Sequence, residues 1–206
     1  MKLYIVRHAQ SKTNVGINEE DPGLTEIGKI QAKRLGKYLS KLNINQVYCS
    51  PAKRARETLE QIPSLKNTSM VYTPEILERN LGVYTERGIN NWTEFFKDAK
   101  ASGIDIRYFK PENGESLQNV YERAERFYQK ILRENKDNNR VLLLSHELFS
   151  LCTILHALGL DITEDNFYPI NNASISTLII RKNKVINYSF NDCNHLLAAA
   201  LEDRVP

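Results

Sequence analysis

Long apolar runs are missing from this sequence. Nowhere in its 206 residues is there a stretch near the roughly 18 consecutive apolar residues that mark a membrane span. No apolar leader core stands near the first residue. A soluble, cytoplasmic protein without a membrane partner is the expectation. Cysteine is scarce as well. Cys49, Cys152 and Cys193 are odd in number, far apart, and in no Cys-x-x-Cys pattern. That speaks against a disulfide framework or a zinc cage, and for buried free thiols in a reducing compartment. Excess charge is missing too. Lys and Arg total 28 against 25 Asp and Glu, a formal net charge of +3. With no basic block and no basic amphipathic helix, a nucleic-acid partner is not expected. Repeats, linkers and low-complexity segments are absent. The hydrophobic content of 41% is ordinary, and 206 residues suffice for one domain, 1–206, with a full core.

What the sequence does have is alternation. Leu3–Val6, 46–49, 70–72 and 140–144 are short apolar runs that read as strands. Between them lie helical patterns. Thr25 caps a helix whose apolar residues Ile27, Ile30, Leu35, Tyr38, Leu39 and Leu42 recur at helical spacing, and Asn43 to Asn45 end it. A second helix is expected over 52–62, an amphipathic one over 91–101, a long one capped by Ser116 and running to about Glu134, and one over 148–158 stopped by Gly159. Ile175–Ile180 and 184–190 read as a hairpin turning at Lys182-Asn183. Strands alternating with helices imply an α/β fold: a mostly parallel central sheet flanked by helices on both faces. The irregular stretch 79–113 is a candidate cap, helical in part, over the sheet's C-terminal edge.

The chemistry sits where the strands stop. The first strand runs directly into Arg7 and His8, and the strand at 140–144 into Ser145 and His146. In open α/β sheets the carboxyl ends of the strands are where ligands bind. One histidine at such a place is usually structural; two in matched settings, one beside an arginine, point to a shared site. Arg54 falls in the first turns of the helix after the second strand, where helix N-termini attract anions. Two guanidiniums with two imidazoles make a phosphate cradle. Glu78, at the end of the apolar run Ile76-Leu77, is either a solvated carboxylate or a general acid whose protonated form a nearby phosphate would favour. His156, in mid-helix, reads as structural.

Several segments together resemble the histidine phosphatase superfamily, the phosphoglycerate mutase-like enzymes. They are Arg7-His8-Ala9-Gln10-Ser11-Lys12-Thr13-Asn14, Leu24-Thr25 with Gly28 and Gln31-Ala32, and Ser50 through Thr58 with Arg54-Ala55. Further along come Leu77-Glu78-Arg79, Gly114-Glu115-Ser116, Val141 through His146, and Asn191 with His195-Leu196. The resemblance implies that His8 is a nucleophile forming a phosphohistidine, and that Arg7, Asn14, Arg54 and His146 bind the phosphoryl group. It implies that Glu78 is the acid–base residue and that no metal or cofactor takes part. The implied activity is that of a phosphatase on a small phosphomonoester, with a cofactor-dependent phosphoglycerate mutase or a non-catalytic phosphate-binding protein as alternatives. Two features lean toward the phosphatase: the compact interval from Glu78 to Gly114, and Thr13 where mutases carry a tryptophan. The oligomeric state stays open, a dimer included.

The chain departs from the family pattern in three places. Ala9 replaces a glycine after the first histidine, which matters if that turn needs positive φ. Glu147 replaces a glycine after the second; its carboxylate would either repel substrate or turn away toward the helix N-terminus. The segment Val83 through Gly88 is one residue longer than its counterpart. The cap's charges balance; Trp92, Phe95, Phe96, Tyr108 and Phe109 offer the lining of an apolar pocket, while the helical spacing of the first three reads rather as the cap's own small core. His195 reads as a packing and hydrogen-bonding residue.

Overall fold

The computed structural model describes residues 1–17, 20–86 and 92–197. Arg87, Gly88 and the expected helix start at Asn91 lie outside the described residues. Strands form at Lys2–Arg7 (β1), Gln46–Cys49 (β2), Ser69–Tyr72 (β3), Arg140–Ser145 (β4), Ile175–Arg181 (β5) and Lys184–Asp192 (β6). They build one six-stranded sheet in the order β3-β2-β4-β1-β5-β6. β1, β2, β3 and β4 run parallel, while β5 and β6 are antiparallel to their neighbours. The mostly parallel α/β sheet read from the alternation is therefore the observed one.

The pleat of β1 divides the core. Leu3 and Ile5 point to one face, where they join residues of Leu117–Glu134 (α5) and Glu147–Leu158 (α6). Tyr4 and Val6 point to the other, toward Glu26–Leu39 (α1) and Lys53–Glu60 (α2). A third, smaller cluster of Leu81, Tyr84 and Phe95 sits between Val83–Glu86 (α3) and Trp92–Ser102 (α4). Phe95 is thus core, as expected of it, but Phe96 is 52% exposed. α3 is a turn of helix in a stretch that reads as irregular in sequence.

α1 differs from its sequence reading in which face it buries. Ile27, Ile30 and Tyr38 are exposed, and the helix instead turns Gly28, Ala32, Leu35, Gly36 and Leu39 inward. The reason is close approach: a Cβ on Gly28 would lie 1.9 Å from the Gln10 carbonyl oxygen. The small residues let the helix seat against the loop that follows His8, and the large apolar ones are left on the flank. The helix starts where expected, with Thr25 Oγ1 accepting from the Gly28 amide at 3.0 Å. α5 starts at a capping box formed by Ser116 and Asn119.

Candidate active site

The register of the sheet brings the two histidines together. β1 and β4 are hydrogen-bonded neighbours with Arg7 opposite Ser145, and the His8 amide donates to the Ser145 carbonyl at 2.9 Å. The rings of His8 and His146 consequently stand 5.1 Å apart, edge to face. On the far side of β4, β2 ends one residue short of Ser50, whose amide continues the ladder to Leu144. α2 starts just beyond and carries Arg54, whose Nε donates to His8 Nε2 at 3.2 Å. Its N-terminus is capped from a distance by Asp21, which accepts from the Lys53 amide.

Hydrogen bonds assign the tautomers. His8 Nδ1 lies 2.8 Å from the Ala9 carbonyl, which can only accept, so Nδ1 carries the proton and Nε2 keeps its lone pair. Burial, reinforced by the Arg54 charge, holds the His8 pKa well below 6.5, so the ring stays neutral. Ser50 Oγ accepts from the Ala52 amide and has its own hydrogen to give to His146 Nε2, 2.7 Å away. The remaining proton of that neutral ring then sits on Nδ1, which is buried and without a hydrogen-bond partner in the protein; Arg7 Nε is in the same state. Burial and Arg54 also hold His146 well below its ordinary value. Buried donors without acceptors are costly. Arg7 lines one polar cavity of about 480 Å³ together with His8, Arg54 and Asn14, and His146 packs against the His8 ring. Asn14 Oδ1 is occupied by the Ser11 amide and by Asn172 Nδ2, leaving its amide hydrogens as the donors.

Glu78 reaches the cavity from the loop after β3. Its carboxylate accepts from the Leu148 amide in the first turn of α6 and from the Arg79 amide. Burial nevertheless outweighs these bonds and raises its pKa above 4.5. The loop is fixed from outside. Arg123 donates to the carbonyls of Glu75 and Leu77, and pairs with Glu115 at 2.9 Å. Glu115 Oε2 in turn accepts from the Asn80 amide at 3.1 Å. The Gly-Glu-Ser segment thus supports the loop that carries Glu78.

Every site residue singled out in the sequence, Arg7, His8, Asn14, Arg54, Glu78 and His146, therefore lies on this one cavity or, for His146, against its histidine. Sequence reasoning did not single out Ser50, Thr58 or Asn172 as individual contributors. Thr58 Oγ1 accepts from the Ala9 amide and donates to the Arg54 carbonyl, tying the histidine loop to the arginine helix. Asn172 donates to the His8 carbonyl. Thr58 was visible as part of its motif; Asn172 carries no local signal.

The two glycine replacements resolve differently. Ala9 is fully buried and is not among the positive-φ residues, so its methyl causes no backbone strain. The left-handed alanine is Ala173, at φ 56°, whose amide is shared between the Arg7 and His8 carbonyls. Glu147 does not turn away: its carboxylate pairs with Arg7 at 2.9 Å, while Arg7 also donates to the Ile170 carbonyl. His195 donates to, and packs near, the backbone of Ala173, a structural role as expected. Among the described residues no three His, Cys, Asp or Glu side chains gather where they would hold a metal ion.

The sequence profile of the histidine phosphatase superfamily (branch 1) matches residues 3–192. The chain belongs to that superfamily. It is 30% identical over 203 residues to phosphoserine phosphatase 1 of Hydrogenobacter thermophilus, covering 95% of this chain and 94% of that one. It is 28% identical to the Erwinia tasmaniensis protein named probable phosphoglycerate mutase GpmB, over 85% and 83% of the two chains. Among solved structures it resembles the alpha-ribazole phosphatase of Shigella flexneri, with a TM-score of 0.78 at 23% identity over 93% and 96% of the chains; at that identity the likeness shows the fold. The family match thus spans all but the first two and the last 14 of the 206 residues, and no described helix is long and apolar enough to cross a membrane.

Proposed function

We propose that this enzyme hydrolyses small phosphomonoesters through a phosphohistidine on His8. The observation that carries the reading is the meeting of a neutral His8, its Nε2 unprotonated, with Arg54 at 3.2 Å, with Arg7 on the same polar cavity, and with His146 against its ring. His8 Nε2 attacks phosphorus and the ester P–O bond breaks. Glu78, whose protonated form burial favours, gives its proton to the departing oxygen. Water then attacks phosphorus, the N–P bond breaks, and Glu78 takes the water's proton. Arg7, Arg54, Asn14 and His146 Nδ1 hold the phosphoryl oxygens and stabilise the charge that develops on them. The positive charge comes from guanidiniums, and the reaction as written uses no metal or cofactor. Residues 79–113 act as the cap of a single domain. The free thiols of Cys49, Cys152 and Cys193 fit a cytoplasmic enzyme.

Release of inorganic phosphate from a panel of phosphomonoesters, lost in His8→Ala, tests the proposal. Robust isomerisation of 3-phosphoglycerate with little phosphate released would favour the mutase reading instead. The buried, unstrained Ala9 removes one reason to read the site as non-catalytic.

A further inference from the structure

A second cavity, of about 580 Å³, opens beside the phosphate cradle, and Glu78 lies on the wall of both. Away from that junction its wall is hydrocarbon and aromatic: Phe96 on α4, Ile106, Leu117, Leu148, and Ile162 and Phe167 on the segment after α6. The size is that of a small-molecule pocket. The phosphoryl-transfer step uses only the cradle side of Glu78.

We propose that this chamber receives the leaving alcohol, and that the alcohol is a neutral, bulky, aromatic-rich group. The inference rests on the phosphatase reading and extends it to substrate class. Two features carry it. First, the oxygen that Glu78 protonates is bonded to the alcohol's carbon skeleton, so a skeleton leaving the cradle past Glu78 enters the chamber. Second, the chamber's charged groups are already matched inside the protein. Glu147 is paired with Arg7. Arg79 donates to the carbonyls of Glu115 and Phe109 and lies 4.7 Å over the Phe95 ring. Arg107 is paired with Asp105. A carboxylate or ammonium on the leaving group would have to displace one of these partners or be buried unmatched, which is costly. An aromatic group gains simply by leaving water.

The deciding comparison is kcat/KM for 2-(1-naphthyl)ethyl phosphate against phosphoserine. Both release an alkyl alcohol, so the ratio reads the fit of the leaving group rather than its acidity. We expect the naphthylethyl ester to be preferred at least about tenfold, each such factor being about 1.4 kcal/mol of differential binding. Phe167→Ala and Phe96→Ala remove partly exposed side chains, so the chain still folds; each should cut that preference about threefold. Equal use of the two esters, or a preference for phosphoserine or 3-phosphoglycerate, overturns the inference while leaving the phosphatase reading intact. Absence of phosphate release from every ester overturns the phosphatase reading. In that event calorimetry with 2-(1-naphthyl)ethyl phosphonate against 2-aminoethyl phosphonate still reads the chamber: tighter binding of the naphthyl compound supports it, and equal binding contradicts it.

Discussion

The two cavities that meet at Glu78 are built on opposite principles. The cradle gathers Arg7, His8 and Arg54 with their histidine neighbour at the carboxyl ends of parallel strands, and leaves two buried donors without acceptors. The chamber gathers side chains from α4, α5, α6 and the segment around 162–167, with its charged groups matched. The cradle is prepared for an anion and the chamber for hydrocarbon. The difference assigns the two ends of the substrate: phosphoryl group on one side of Glu78, alcohol on the other.

The comparison breaks most completely at His8. His8→Ala should lower phosphate release by roughly 10⁴-fold or more, as loss of a covalent nucleophile does, whatever fills the chamber. Glu78→Gln comes next. Loss of general-acid catalysis should cost roughly 10²–10⁴-fold on alkyl phosphates, and far less on 4-nitrophenyl phosphate, whose leaving oxygen needs no proton. The same variant should melt higher than wild type at neutral pH. Burial raises the Glu78 pKa above 4.5, so folding disfavours its ionised form: stability is whole below that pH and lost as pH rises. Thermal melts at pH 4 and pH 7 check this, with a gain expected only at pH 7.

Arg54→Met should follow, with roughly a 10²–10³-fold fall in kcat/KM, comparable to removing one donor from an oxyanion hole. Here the loss should be the same for naphthylethyl phosphate and phosphoserine, since Arg54 touches the cradle alone. Loss of discrimination between the two esters would instead blur the boundary drawn at Glu78. The smallest effect is expected at Glu147. Its pairing with Arg7 through Nη1 leaves Arg7 Nε as the donor without a partner and holds the guanidinium in place, so Glu147→Gln should raise the inhibition constant of inorganic phosphate a few-fold; a tighter phosphate affinity would mean that Glu147 competes with phosphate for Arg7.

The histidines add a pH dependence with a definite sign. His8 and His146 are both held well below 6.5. In the unfolded chain they take up protons below that pH while the folded ones stay neutral, so they withdraw stability as pH falls through 6.5. Catalysis behaves oppositely at first, because His8 remains an unprotonated nucleophile at pH values where a free histidine is mostly charged. Activity should persist below pH 6.5 until the fold itself gives way, which circular dichroism on the same samples would show.

The same contrast explains what the sequence disclosed. Each cradle residue stands at a fixed offset from a strand end or a helix start, so periodicity alone puts Arg7, His8, Ser145 and His146 on one edge, and Arg54 beside it. Once β1 pairs with β4 in the observed register, little further is needed. The chamber has no such signature. Phe96 reads as cap core because it lies near Phe95 at helical spacing, yet it faces the cavity. Ile162 and Phe167 belong to a stretch with no motif, and only the cavity wall they share with residues of α4 and α5 gives them a role. α1 departs from its hydrophobic pattern for a related reason. Its apolar period is carried by large residues, whereas the face that docks is chosen by how closely Gly28 can approach the Gln10 carbonyl, which no hydrophobic pattern records. Glu147, read as repelling phosphate or turning away, took a third course because Arg7 lies within reach across the strand ends.

The most direct test is to trap the intermediate. Wild-type enzyme is mixed with a radiolabelled phosphomonoester, quenched into alkali within the first turnover, and its labelled peptide sequenced. We expect acid-labile, alkali-stable phosphate on His8, absent from His8→Ala. Turnover with the label on another residue, or with no labelled protein at any quench time, would contradict the assignment of His8 as nucleophile.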